Sequence, residues 1–141
     1  MANLLEVKDL AVEFRVQEGV IKAVDGVSFR IKPATTTAIV GESGSGKSTV
    51  AQAIMGILPK VANITGGQIL FSDNKDGSAV MPVDHLKGVL DIAKIDPNSK
   101  IMQSIRGRCI SMIFQEPMTS LSPLHTVGDQ ITEAMVLHSD L

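Results

Sequence analysis

Glycines, hydroxyls and a single lysine crowd into residues 41–49, GESGSGKST. In order these are Gly41, Glu42, Ser43, Gly44, Ser45, Gly46, Lys47, Ser48 and Thr49. The spacing G-x-x-x-x-G-K-[S/T] is met by Gly41, Gly46, Lys47 and Ser48. Glycines let a backbone wrap so that successive N–H groups point inward and form a nest for anionic oxygens. A helix opening there adds its N-terminal partial positive charge. Lys47 then reaches the β and γ phosphates of a nucleotide as a compact cation. The Ser48 hydroxyl ligates Mg²⁺, and Thr49 serves the α phosphate. A flexible glycine–serine turn is the competing reading. Average composition produces the four fixed positions by accident in roughly one chain in two hundred, and the flanking pattern makes accident rarer still.

The elements that must position this loop follow from the flanks. TTTAIVG (35–41) is β-branched and apolar and ends on glycine, which predicts a buried strand feeding the loop. KSTVAQAIMGIL (47–58) carries Val50, Ile54, Ile57 and Leu58 at helical spacing, with Pro59 predicting a stop near Leu58. Upstream, LLEVKDLAVEF (4–14) alternates in part, as a strand does. EGVIKAVDGVSFRI (18–31) reads as a second strand pair with Gly19 and Gly26 at turns or bulges. Downstream, TGGQILF (65–71) reads as a turn and strand, and SDNKDGS (72–78) as a polar turn cluster. VDHLKGVLDIAK (83–94) reads as a short amphipathic helix and DPNSK (96–100) as a turn. CISMIF (109–114) reads as a second buried strand, QEPMTSLSPLHT as a loop, and VGDQITEAMVLH (127–138) as a helix.

The 141 residues suffice for one domain. With 44% hydrophobic and 20% charged residues the chain belongs among globular proteins, its core resting on aliphatic residues because aromatics make up 3%. Thirteen basic and fifteen acidic residues give a net charge of −2 without a basic stripe, which argues against a nucleic-acid partner. The one cysteine, Cys109, forms no internal disulfide and reads as a buried thiol. His85, His125 and His138 lack metal-ligand spacing. No stretch reads as a secretory signal or approaches the ~18 apolar residues of a membrane span. The expected location is therefore cytoplasmic, with any membrane link made through a partner.

ISMIFQEPMTSLSP (110–123) narrows the chemistry. An apolar stretch ending in glutamine, then Glu-Pro and a Ser/Thr-rich loop, resembles the Q-loop of ABC transporter ATPases, closest to the oligopeptide/dipeptide importer branch. IVGESGSGKST, SIRGRCISMIFQEP and the two opening strand segments are similar to that branch as well. Ser122 stands where the branch usually has Asn, Ala34 stands where a Pro-Gly turn is common, and the 72–103 region departs from it. The resemblance implies an α/β fold: a P-loop NTPase core with an N-terminal antiparallel β subdomain, truncated before the signature and Walker B regions. On this reading residues 1–141 are the N-terminal part of one nucleotide-binding domain. It implies that Gln115 contacts Mg²⁺ or its water and senses the γ phosphate, making Ser48 and Gln115 the metal-binding pair. It implies an aromatic stacked on adenine, for which Phe14 is the candidate, Phe14 being equally readable as core. Residues 117–135 would face a membrane permease, with Met118, Leu121 and Leu124 as contacts or core.

The implied cofactors are ATP and Mg²⁺. The implied partners are integral-membrane permease subunits and a second ABC ATPase subunit. The implied function is the ATP-binding subunit, here a fragment, of an importer of peptides or a similar small solute, peripheral on the inner face of the membrane. No LSGGQ-like segment and no apolar strand ending in Asp-Glu occur in the 141 residues. Phosphoryl transfer needs several positioned groups at once, so the expectation is nucleotide binding without turnover. A soluble P-loop kinase or other NTPase is the alternative that the QEPMTSLSP stretch opposes. A non-hydrolysing nucleotide-binding interaction module is the other.

Overall fold

Leu5 and Val7 face the core, and so do Leu10 and Val12, although no strict period of two joins the pairs. The computed structural model, which describes residues 3–72, 88–115 and 121–138, shows why. These residues share one strand, β1 (Leu5–Val16), whose register shifts between Val7 and Leu10. Asp9 sits at the shift with φ +45, its amide donating to the Ser28 hydroxyl at 2.8 Å. A bulge moves a strand by one residue, so both halves keep their apolar side chains on the same face. The partial alternation in the sequence is that bulge.

β1 is the spine of a four-stranded antiparallel sheet in the order β2-β1-β3-β4. It pairs on one side with β2 (Gly19–Ile31) and on the other with β3 (Ala62–Phe71). β4 (Leu90–Asp91) adds two residues to β3. Helix α1 (Lys47–Met55) turns Val50, Ala53 and Met55 inward. A 3₁₀ turn (Ile92–Lys94) and helix α2 (Lys100–Ile105) bring in Ile92, Met102 and Ile105. Val7, Leu10, Val12, Val50, Ala53, Ile69, Phe71 and Met102 belong to one buried hydrophobic cluster. Helix α3 (Val127–His138) begins and ends where its spacing predicts. The Thr126 hydroxyl accepts from the Asp129 amide at 3.1 Å and donates to its carboxylate at 2.7 Å, which satisfies one of the open first-turn amides.

Several expectations need correction. Residues 18–31 hold one strand, because Gly26 stays within β2 and the turn falls at residues 17–18. α1 ends at Met55 rather than near Leu58. Gly56 takes a left-handed conformation, its amide bonding the Ala53 carbonyl and the Ile57 amide bonding the Gln52 carbonyl, which closes the helix before Pro59 is reached. The described part of 83–94 is β4 and a 3₁₀ turn, not a helix. The expected strands at 35–41 and 109–114 are not formed. Both run without ladder bonds apart from an Arg106–Ile110 bridge, and Val40 is 88% and Ile113 96% exposed. β-branched residues suit a strand, but ladder bonds come from a neighbour, and no described strand lies beside either segment. α2 went unread, although Ser99 caps it by accepting from the Met102 amide at 3.3 Å. Residues 73–78, His85 and Met118 lie outside the described residues.

Candidate phosphate-binding site

The loop begins at Gly41, turns through an amide bond from Ser45 to the Glu42 carbonyl at 3.2 Å, and delivers Gly46 as the residue before α1. Gly46 has φ +89, and a Cβ there would lie 2.3 Å from the Ala23 carbonyl oxygen. Two independent constraints, a left-handed backbone and contact with β2, therefore exclude any side chain at this position. Ala23 itself was not legible as a site residue, since its part is played by its backbone.

The first-turn amides of α1 lack intrahelical partners by the geometry of any helix. Here no side chain caps them and no acid stands in the first turn. Such an end is open to an external anion. Lys47 lies beside it. Its ammonium donates to the carbonyls of Gly41 at 2.8 Å and Glu42 at 2.5 Å and to the Ser45 hydroxyl at 3.2 Å. All three acceptors are neutral, and none of the ion pairs among the described residues uses Lys47. The loop thus orients the cation without cancelling its charge. Ser48 is exposed, and Thr49 is half-buried.

Two cavities border the loop. One of about 170 Å³ is lined by Ala23 and by residues 44–49. A second of about 440 Å³ runs between residues 37–41, β2 and the start of α1. The smaller is the cradle, made of backbone donors, hydroxyls and Lys47. Gln115 is exposed at the end of the 111–115 segment and lines neither cavity. Phe14 lies in β1 opposite Ile21 and Ala62, partly buried against the core cluster, and lines neither cavity. Cys109 is half-buried beside that cluster.

The loop thus presents open helix amides and an oriented cation on one side, and comparison with known sequences gives the family setting. The profile of the ABC transporter family matches residues 24–140. The chain belongs to the ABC transporter family. Among its relatives is the oligopeptide transport ATP-binding protein OppD of Mycobacterium tuberculosis, 42% identical over 138 residues, which covers 98% of this chain and 19% of that protein. The OppD protein of Bacillus subtilis is 42% identical over 142 residues, covering 100% and 35%. The dipeptide transport ATP-binding protein DppD of Bacillus subtilis is 43% identical over 142 residues, covering 100% and 37%. This ABC transporter chain therefore spans between 19% and 37% of the length of these relatives. The antiparallel sheet and the loop-bearing helix are consistent with an N-terminal ABC subdomain. Among the described residues no helix is long and apolar enough to cross a membrane.

Away from the phosphate loop, the sequence reading missed a side chain with a defined job. Gln130 of α3 organises residues 122–126, its amide oxygen accepting from the Ser122 amide at 2.8 Å and its nitrogen donating to the Ser122 and His125 carbonyls at 3.1 Å each. A buried-facing amide within a helix that follows a Pro/Ser-rich loop was the available signal. The same loop leaves Leu121 half exposed and Leu124 almost wholly so, so neither is buried in the core of the described residues.

Proposed function

We propose that residues 1–141 are the nucleotide-gripping part of the ATP-binding subunit of an ABC importer for peptides or a similar small solute. The observation that carries the reading is the uncapped start of α1, enclosed by a glycine-rich loop that aims Lys47 without neutralising it. Gly41, Glu42, Ser43, Gly44, Ser45, Gly46, Lys47, Ser48 and Thr49 would wrap the phosphates. The backbone amides and Lys47 take the anionic oxygens, and the Ser48 hydroxyl takes Mg²⁺. Gln115 supplies the second metal contact and reports the γ phosphate; a neutral amide oxygen suits that task because it can withdraw without leaving a buried charge. Phe14 is the aromatic proposed for adenine through the part of its ring that the core leaves uncovered. The bound Mg²⁺ would neutralise charge on the β and γ phosphates; the chain's own residues orient and hold them.

Peptide as the cargo is carried over from the oligopeptide and dipeptide transport proteins to which the chain is similar. Permease subunits and a second ATPase subunit are the proposed partners, and they would place the chain at the inner face of a membrane. The ATPase activity belongs to the family; these 141 residues contain no segment to polarise the attacking water, so they are proposed to bind ATP without turning it over. Titration calorimetry of the chain with ATP and Mg²⁺ tests the reading. Lys47→Ala should weaken binding by about tenfold or more, the worth of a charge-assisted hydrogen bond set. Unchanged affinity would sink the site, and steady hydrolysis abolished by Lys47→Ala would sink the absence of turnover.

A further inference from the structure

Arg106 follows α2, and its guanidinium faces three backbone carbonyls. Nε donates to the Met55 oxygen at 3.0 Å, while Nη2 donates to the Gly56 oxygen at 3.3 Å and to the Pro97 oxygen. Met55 and Gly56 close α1, the helix whose opposite end carries the phosphate loop. The last carbonyls of a helix lack intrahelical partners and carry its partial negative charge. A planar, permanently charged fork is the side chain best matched to several of them at once. Pro97 belongs to the turn that leads into α2, so the same fork ties two elements together.

The Arg106 amide donates to the Met102 carbonyl at 3.1 Å, and the backbone around Arg106 has a different partner. It bridges Ile110 in parallel, the Gly107 amide donates to the Ile110 carbonyl at 2.8 Å, and the Ile110 amide donates to the Ile105 carbonyl at 3.0 Å. These bonds close a tight loop from which residues 111–115 run out to Gln115. The Arg106 side chain therefore grips the end of the phosphate-loop helix, while its two chain neighbours, Ile105 and Gly107, hold Ile110 at the root of the Gln115 segment. Ser48, at the start of α1, and Gln115, five residues beyond Ile110, are the two residues proposed for the metal.

We propose that Arg106 is a positioning residue for Mg²⁺-dependent nucleotide binding, setting the root of the Gln115 segment against the C-terminal end of α1. The inference rests on the reading of Gln115 as a metal contact. Without the fork, the end of α1 and the root of the segment keep only the apolar packing of Val50, Ala53 and Met102, with Cys109 and Ile110 against it, and lose the directional bonds that orient one against the other.

The test is ATP affinity of the full chain, measured by fluorescent-nucleotide titration with Mg²⁺ and again with a chelator. The variants are Gln115→Ala, Arg106→Met, Arg106→Lys and the double variant Arg106→Met/Gln115→Ala. Gln115→Ala should remove about fivefold of the affinity that Mg²⁺ adds, the worth of one hydrogen-bonded contact. Arg106→Met should remove the same Mg²⁺-dependent part, leave the metal-free affinity within about twofold, and show no further loss in the double variant. Arg106→Lys, which keeps the cation and reaches fewer carbonyls, should fall between wild type and Arg106→Met. If Arg106→Met does not fold, Arg106→Lys decides alone. A metal-dependent gain equal to wild type, or equal losses with and without metal, overturns the proposal. So does additivity in the double variant, which would mark Arg106 as a support of α1 only. An unchanged metal dependence in Gln115→Ala removes the reading of Gln115 itself, a result visible before any Arg106 variant is measured.

Discussion

Lys47 shows how a residue is made ready for a ligand by neutral neighbours. Two carbonyls and a hydroxyl hold its ammonium at the loop without an ion pair to cancel it, so the phosphate proposed for this site would meet an oriented charge. Phe14 is a different case, a ring shared between core and surface. If its uncovered part meets adenine, Phe14→Ala should weaken ATP by about five- to tenfold while leaving inorganic triphosphate unaffected, since base–aromatic stacking is worth about 1–3 kcal/mol. Competition of both ligands against a fluorescent nucleotide separates them. Equal losses for the two would make Phe14 a core residue alone. Ala34 carries strain of its own, with φ +55 in a turn where a Cβ is unwelcome. Ala34→Gly should relieve about 1–2 kcal/mol of left-handed strain against a smaller entropic cost in the unfolded chain. The net expectation is a higher urea midpoint with nucleotide affinity unchanged.

At the scale of elements, buried side chains carry more of the stability than caps do. Ile69 is wholly buried in the middle of β3, and Ser99 merely caps α2. Urea unfolding should therefore show Ile69→Ala costing about 2–5 kcal/mol and Ser99→Ala about 1 kcal/mol; a Ser99 loss matching that of Ile69 would mean that α2 is part of the central folding unit. Legibility in the sequence followed how local each cause is. α3 could be read to the residue because its spacing and cap lie within its own segment, and the phosphate loop because glycine, lysine and hydroxyl chemistry is confined to nine positions. The Asp9 bulge appeared only as a flaw in the alternation, since its cause is the Ser28 hydroxyl across the sheet. TTTAIVG and CISMIF were read as strands from composition, yet strand formation depends on a neighbour that composition does not contain. The Arg106 grip was invisible because its acceptors are carbonyls some fifty residues away, and carbonyls leave no letter in a sequence.

The whole molecule combines a well-packed sheet with apolar segments that face outward. Ile113 and Leu124 are exposed at 96% and 88%, and α3 adds Val127, Ile131 and Met135 at helical spacing, each more than half exposed. Exposed apolar side chains beside unladdered, strand-prone backbone favour association. Light scattering should accordingly show the isolated chain self-associating at tens of micromolar, with Ile113→Lys/Leu124→Lys shifting it toward monomer without loss of fold by circular dichroism. A monomer at all concentrations would show that these side chains are too dispersed to act together. The contact between Gly46 and the Ala23 carbonyl carries a different implication. Ala23 sits where it does because β2 is zipped to β1 in one alignment, and a slip by one residue would turn every side chain of the hairpin to the other face. A misaligned hairpin would then present the wrong surface beneath the loop, leaving that chain blind to nucleotide. A ligand held at the loop would be captured only by correctly zipped molecules and would draw the population toward them, so binding there would act as a proofreader of strand alignment.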